Sequence, residues 1–171
     1  FHGGLLGVAI AIILFARHRG RSPFAFGDLI ACAAPIGLFF GRIANFINNE
    51  LWGRPSDVPW AMTFPIPDHL ETYFPEVPRH PSQLYEAFLE GVVLFGLLYV
   101  LRRREAIAAR PGMLTGIFLA GYGVARLIVE FFRQPDLQLG LIGGFITMGQ
   151  ILSLPMIAIG AGITYWAAQQ R

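Results

Sequence analysis

Five apolar blocks, each roughly 16 to 24 residues long, dominate this 171-residue chain: 1–16, 24–47, 84–101, 113–132 and 145–168. That is the length an α-helix needs to cross a hydrocarbon core of about 30 Å. Inside such a core every backbone N–H and C=O must be satisfied within the structure, which a helix does by itself. No run shows the polar/apolar alternation that an outer-membrane barrel requires. Charged residues make up 14% of the chain, against about 25% in soluble domains. The expected fold is therefore an all-α, polytopic transmembrane helix bundle of about five spans. It is read as a single unit over 1–171 with one long outer loop at 48–81.

The charges orient the bundle. All thirteen basic residues are arginine. Arg17, Arg19, Arg21, Arg102, Arg103, Arg104, Arg110 and Arg171 fall on one side if five spans alternate, and the positive-inside rule makes that side the cytoplasm. The 48–81 loop, net acidic through Asp57, Asp68, Glu71 and Glu76, then faces the periplasm, as does the 133–144 connection. So long a proline-rich loop is expected to be functional or partly helical along the interface. The opening Phe1-His2-Gly3-Gly4 has neither an initiator Met nor a signal peptide, so upstream sequence is expected to be missing.

Several function classes find no support. Cys32 has no partner for a disulfide within the chain and reads as a packing residue. The four His and one Cys show no ligand spacing, so neither metal nor cofactor is expected. There is no glycine-rich phosphate loop and no Gly-x-Ser-x-Gly elbow. The basic clusters are short loops and do not imply nucleic acid.

Charged side chains inside spans cost several kcal/mol each and ask for a partner or a task. Tyr122, Arg126, Glu130 and Arg133 recur at i, i+4, i+8 and i+11, on one helical face. Arg126 and Glu130 can pair, and a purely structural ion pair is one reading. Because one Glu cannot neutralise both Arg126 and Arg133, an anion from elsewhere is expected. A second cluster, 41–53, closes the second span with Arg42, Asn45, Asn48, Asn49 and Glu50. Its planar guanidinium fork suits two oxygens of one phosphate. The plain alternative is an interfacial helix end with a snorkelling Arg.

Weaker signals lie elsewhere. His2, beside Gly3-Gly4, is either a packing residue or a base. Asp28 suits a helix N-terminus, and Ser82 could cap the third span. Glu86 and Glu90, at i and i+4, could answer the excess arginine on neighbouring helices.

The stretch Gly41-Arg-Ile-Ala-Asn-Phe-Ile-Asn-Asn-Glu-Leu-Trp-Gly53 resembles the signature of bacterial prolipoprotein diacylglyceryl transferases. His2-Gly3-Gly4, Arg79-His80-Pro81-Ser82-Gln83-Leu84-Tyr85-Glu86, Tyr122-Gly-x-x-Arg126-x-x-x-Glu130-x-x-Arg133 and Gly149-Gln150-x-Leu152-Ser153 match that family in the same order. Ala44 takes the place of a commoner glycine. The resemblance implies a multi-pass enzyme of the bacterial inner membrane, with further spans upstream and its active site toward the periplasmic half. It implies transfer of the sn-1,2-diacylglyceryl group of phosphatidylglycerol to the lipobox cysteine of preprolipoprotein signal peptides. A thioether forms and glycerol 1-phosphate leaves. Its partners would be phosphatidylglycerol, the signal peptides and the surrounding membrane lipids. The implied catalytic residues are His2, Arg42, Tyr122, Arg126 and Glu130, with His2 as the thiol's base. Arg42, Asn45, Asn48, Glu50, Gly53, Arg126 and Arg133 would bind the lipid.

The chemistry fits these side chains. As the C–O bond to phosphate breaks, negative charge gathers on the departing oxygens, and fixed guanidinium groups in a low-dielectric site stabilise it. Two alternatives stand beside this reading: an anion or lipid transporter, which would also want intramembrane Arg, and a phospholipid-binding protein without catalysis.

Overall fold

The computed structural model describes residues 2–66, 73–135 and 146–170; the side chains of residues 2, 3, 5 and 6 also lie outside it. Among the described residues five long helices run in order: α1 His2–His18, α2 Pro23–Ile47, α3 Ser82–Arg102, α4 Met113–Val129 and α5 Met148–Gln169. One helical turn, Glu105–Ala108, lies between α3 and α4. These are the five expected blocks. Among them α2, α3 and α5 are long and apolar enough to cross a membrane, and α4 falls just short at 17 residues.

The bundle is apolar on the outside. Leu14, Phe40 and Tyr165 are 61%, 64% and 70% exposed, an arrangement that water would penalise and acyl chains do not. The protein is a polytopic helical membrane protein. Its buried centre is compact: Leu94, Leu98, Leu114 and Tyr122 touch one another, with Cys32 packed against them. That contact agrees with the packing role expected of Cys32.

Because lipid gives helices no hydrophobic reason to associate, they close where side chains are small. Gly116 and Gly123 of α4 face Gly160 and Ile157 of α5. A Cβ on Gly116 would stand 2.7 Å from the Gly160 carbonyl oxygen, and a Cβ on Gly160 would stand 2.7 Å from that of Gly116. Likewise, a Cβ on Gly91 of α3 would meet Phe39 of α2 at 2.7 Å.

Asp28 ties α2 to α4. Its carboxylate accepts from Gly112 N at 2.8 Å and from Thr115 N and Oγ1, each at 2.7 Å. It does serve a helix N-terminus, but that of α4 rather than its own.

At the opposite end the described parts of the 48–81 loop, 48–66 and 73–81, contain no helix. The partial helicity named as one alternative is not seen in these parts, and residues 67–72 lie outside the described residues. The proline-rich chain instead pairs in isolated bridges, Gly53 with Arg133 and both Pro55 and Met62 with Arg79. Prolines lack the N–H a helix needs, and extended pairing uses the donors that are left. Asp68, Glu71, the 136–144 part of the outer connection, Phe145 and Arg171 lie outside the described residues.

Candidate functional site

Three helices converge at that end and bring six charges into one chain of contacts. Arg42 of α2 reaches Glu86 of α3, Nη1 to Oε2 at 2.9 Å. Its Nε and Nη2 donate to Glu90 Oε2 at 3.2 and 3.1 Å. Arg126 of α4 donates to the other oxygen of Glu86, Oε1. Its Nη2 lies 3.0 Å from Glu130 Oε2, and Arg133 Nη1 lies 3.9 Å from that same oxygen. The order is Glu90–Arg42–Glu86–Arg126–Glu130–Arg133. The Glu86 and Glu90 side chains are 0% exposed, whereas those of Arg42 and Arg126 are 17% and 14% exposed. The carboxylates form the back wall, and the guanidinium groups stand in front of it.

An anion from elsewhere was expected because Glu130 alone on α4 faces Arg126 and Arg133. Glu86 of the neighbouring helix meets Arg126, while Glu90 meets Arg42. They answer the arginines as their own spacing suggested. Periodicity along α4 reports only the face of α4, so it could not reveal them.

Local structure places each group. From Ala87 to Val93, α3 winds as a π-helix. Such wider turns shift side chains around the axis and recur at functional sites. Here Glu86 and Glu90 both meet Arg42. Behind Glu130, Gly149 opens α5: a Cβ there would stand 2.5 Å from Glu130 Oε2. The same helix start is held by a capping box, in which Gln150 N donates to Thr147 Oγ1 and Thr147 N to Gln150 Oε1. Gln150 in the family-like motif thus has a local structural task. Tyr122 is 9% exposed, stacks on Phe118, and lies near enough to Arg42, Glu86, Glu90 and Arg126 to feel their charges.

A second group sits above the chain of charges. Asn45 Nδ2 donates to Glu50 Oε1 at 2.7 Å, and Asn48 Nδ2 to the same oxygen at 3.4 Å. Both contacts are solvent-exposed. Asn49 and Leu51 adopt positive φ, 54° and 58°, which is uncommon for side-chain-bearing residues and costly for leucine. The turn is clamped from α3: Gln83 Nε2 donates to Glu50 O at 2.8 Å and Ser82 Oγ to Leu51 O at 3.0 Å. Ser82 therefore does not cap its own helix as expected; the Leu51 carbonyl takes its proton.

Gly53 is buried where two strands of backbone cross. Its N–H donates to His80 O at 2.9 Å, and a Cβ would come within 2.6 Å of Phe132 O. Nearby, the Arg79 guanidinium is buried. It donates to Gly53 O, Gln134 Oε1 and Pro75 O and stacks over the Phe74 ring. Burial pushes its pKa below the ordinary arginine value. Arg79 staples the outer loop, a role its position in the motif did not disclose.

Beside the charges lies an apolar cavity of about 460 Å³ whose walls include Trp60, His80, Tyr85, Phe88, Ile128 and Phe132. Trp60 Nε1 donates to Tyr85 OH at 2.6 Å, and His80 Nδ1 lies 3.1 Å from that hydroxyl. Tyr85 and Val129 link the cavity wall to Glu86 and Glu130, their chain neighbours, while Arg42 and Arg126 are not part of its lining. Sequence periodicity gave no sign of this cavity, because its wall comes from three separate segments.

Of the expected site residues, Arg42, Tyr122, Arg126, Glu130 and Arg133 come together. Asn45, Asn48 and Glu50 form the adjoining exposed cluster, and Gly53 sits apart from them in the backbone crossing with His80 and Phe132. The His2 side chain lies outside the described residues.

The family model described as prolipoprotein diacylglyceryl transferase matches residues 1–166. A phosphatidylglycerol–prolipoprotein diacylglyceryl transferase of Azospirillum brasilense is 60% identical over 171 residues, covering 99% of this chain and 62% of the relative. The enzymes of that name from Paramagnetospirillum magneticum and Pseudoalteromonas translucida are 57% and 54% identical, each over 99% of this chain and over 61% and 60% of their own lengths. The chain thus spans about three fifths of the length of these relatives.

Proposed function

The chain belongs to the prolipoprotein diacylglyceryl transferase family, and from that premise we propose that the protein transfers the sn-1,2-diacylglyceryl group of phosphatidylglycerol to the lipobox cysteine of a preprolipoprotein. A C–S bond forms at the glyceryl carbon, the C–O bond to phosphate breaks, and glycerol 1-phosphate departs. The membrane is the bacterial inner membrane, with the converging helix ends toward the periplasm.

One observation carries this reading. Arg42 and Arg126 bind opposite oxygens of a single buried carboxylate, Glu86. The two guanidinium groups are therefore one carboxylate apart, a separation that also suits the oxygens of one phosphate. Each has five N–H donors, and the carboxylates occupy only some of them. Arg42 and Arg126 grip the phosphate and stabilise the charge that develops as it leaves. Glu130 holds Arg126, and Tyr122 lies close enough to orient the headgroup. Asn45, Asn48 and Glu50 form the polar rim for the glycerol, Gly53 holds the backbone crossing with His80 and Phe132, and Arg133 extends the positive end. The cysteine thiol, with an unperturbed pKa of about 8.5, has to lose its proton, and that task falls to His2.

The test is an assay of the complete gene product with a lipobox peptide and phosphatidylglycerol, scored by the peptide's mass. A diacylglyceryl adduct on the cysteine is expected. Loss of the adduct when the cysteine is replaced by serine checks the acceptor. Lipid movement across vesicles without any adduct would favour a transporter instead.

A further inference from the structure

Glu90 is the least satisfied member of the charged chain. Its side chain is fully buried, and Arg42 approaches only its Oε2. Its Oε1 has no hydrogen-bonding partner among the described residues. Glu86 Oε2 and Glu130 Oε2 also lack a well-aligned hydrogen bond, but each lies against a guanidinium, 2.9 Å from Arg42 Nη1 and 3.0 Å from Arg126 Nη2, whereas no arginine among the described residues reaches Glu90 Oε1. Buried carboxylate oxygens ordinarily collect donors, so a bare one asks for a reason.

Charge supplies it. Three arginines and three glutamates sum to zero, and a phosphodiester headgroup adds one negative charge. In a buried site that charge is costly unless something neutralises it. Protonating Glu86 or Glu130 would discharge a carboxylate shared by two arginines. Protonating Glu90 at Oε1 breaks no hydrogen bond and leaves both Arg42 donors on Oε2. The groups facing Glu90 are Arg42 from α2, Arg126 and Tyr122 from α4, and Glu86 one turn earlier on α3. A phosphate between Arg42 and Arg126 competes for the guanidinium donors that Arg42 now gives to Glu90 Oε2, and a proton on Oε1 offsets the charge the anion brings.

We propose that Glu90 takes up one proton at Oε1 when an anionic phospholipid headgroup enters between Arg42 and Arg126, keeping the buried site neutral. This rests on the reading of those two arginines as the phosphate clamp. Glu90 is then a positioning residue that acts through Arg42, and it couples lipid binding to pH.

The experiment measures binding of phosphatidylglycerol to the complete gene product in nanodiscs across a pH series, with phosphatidylcholine as the zwitterionic control. One linked proton weakens phosphatidylglycerol binding about tenfold per pH unit as pH rises through the range in which binding takes that proton up. Phosphatidylcholine binding does not change. Infrared difference spectra on adding phosphatidylglycerol show a protonated-carboxyl band, and Glu90→Gln abolishes both the slope and the band. Binding that is flat with pH in the unmodified protein, or a slope and band that survive Glu90→Gln, overturns the proposal and leaves the clamp intact. Phosphatidylglycerol binding that is unchanged in both Arg42→Ala and Arg126→Ala overturns the clamp and this proposal together. If Glu90→Gln does not fold, the slope and band of the unmodified protein decide.

Discussion

Gly149 has no side chain where Glu130 needs room: a Cβ at that position would lie 2.5 Å from Glu130 Oε2. The start of α5 thus presses directly on the carboxylate that holds Arg126. Glycine inside a helix is ordinarily a loss of about 0.5–1 kcal/mol relative to alanine, so Gly149→Ala gains helix stability while it pushes Glu130 away. Overpacking of this kind costs roughly 1–3 kcal/mol. The second term is the larger, and only it touches Arg126. Gly149→Ala is expected to lower transfer to the lipobox peptide about tenfold, the equivalent of about 1.4 kcal/mol, with a modest fall in melting temperature from a net cost of up to about 2 kcal/mol. Unchanged turnover would show that the position of Glu130 does not matter to the reaction.

Glu86 is the keystone between α2 and α4. Glu86→Gln keeps its size and removes the charge that Arg42 and Arg126 share. Breaking a buried pair by neutralising one partner costs roughly 3–5 kcal/mol because the remaining charge is left uncompensated. A large drop in thermal stability in detergent is therefore expected, together with loss of transfer. Glu86→Asp keeps the charge but is one methylene shorter and cannot span both arginines, so it should recover stability in part and transfer less. Equal recovery of both would mean that Glu86 only neutralises and does not set the spacing.

Arg126 donates to both Glu86 and Glu130 through a planar fork. Arg126→Ala is expected to reduce transfer by at least the roughly 10²–10³ seen when one charge-stabilising donor is removed, while the protein still inserts. Arg126→Lys restores the charge but not the fork, and its rate should stay well below that of the unmodified protein. Comparable rates for the lysine and arginine forms would reduce the role to charge alone.

The helices and one face of the site were legible in the sequence for a physical reason. A bilayer imposes a length on each apolar block, so α2 and α3 lie within two residues of the blocks read as 24–47 and 84–101. A helix imposes a period, so Tyr122, Arg126, Glu130 and Arg133 could be placed on one side of α4. What stayed hidden depends on contacts between segments. The pairing of Arg42 with Glu86 and Glu90 joins positions more than forty residues apart. The π-helix within α3 leaves no compositional mark. In the outer loop, the left-handed Leu51 and the buried Arg79 depend on Ser82, Gln83 and Gly53, and no spacing rule connects them.

Asp28 permits a test that separates stability from chemistry. It accepts three hydrogen bonds at the start of α4, where a carboxylate both satisfies free N–H groups and opposes the helix dipole. Losing such a cap costs about 0.5–2 kcal/mol, and Asp28→Ala should lower the melting temperature accordingly. Arg126 lies eleven residues beyond Thr115 on the same helix, about 16 Å at 1.5 Å per residue. Effects at sites farther apart than about 7–10 Å and without shared partners are generally independent. Transfer below the melting range should therefore change less than about twofold in Asp28→Ala, and KM for phosphatidylglycerol should hold. A rate loss matching that of Glu86→Gln would show instead that α4 transmits a shift along its axis, making the end capped by Asp28 part of what positions Arg126.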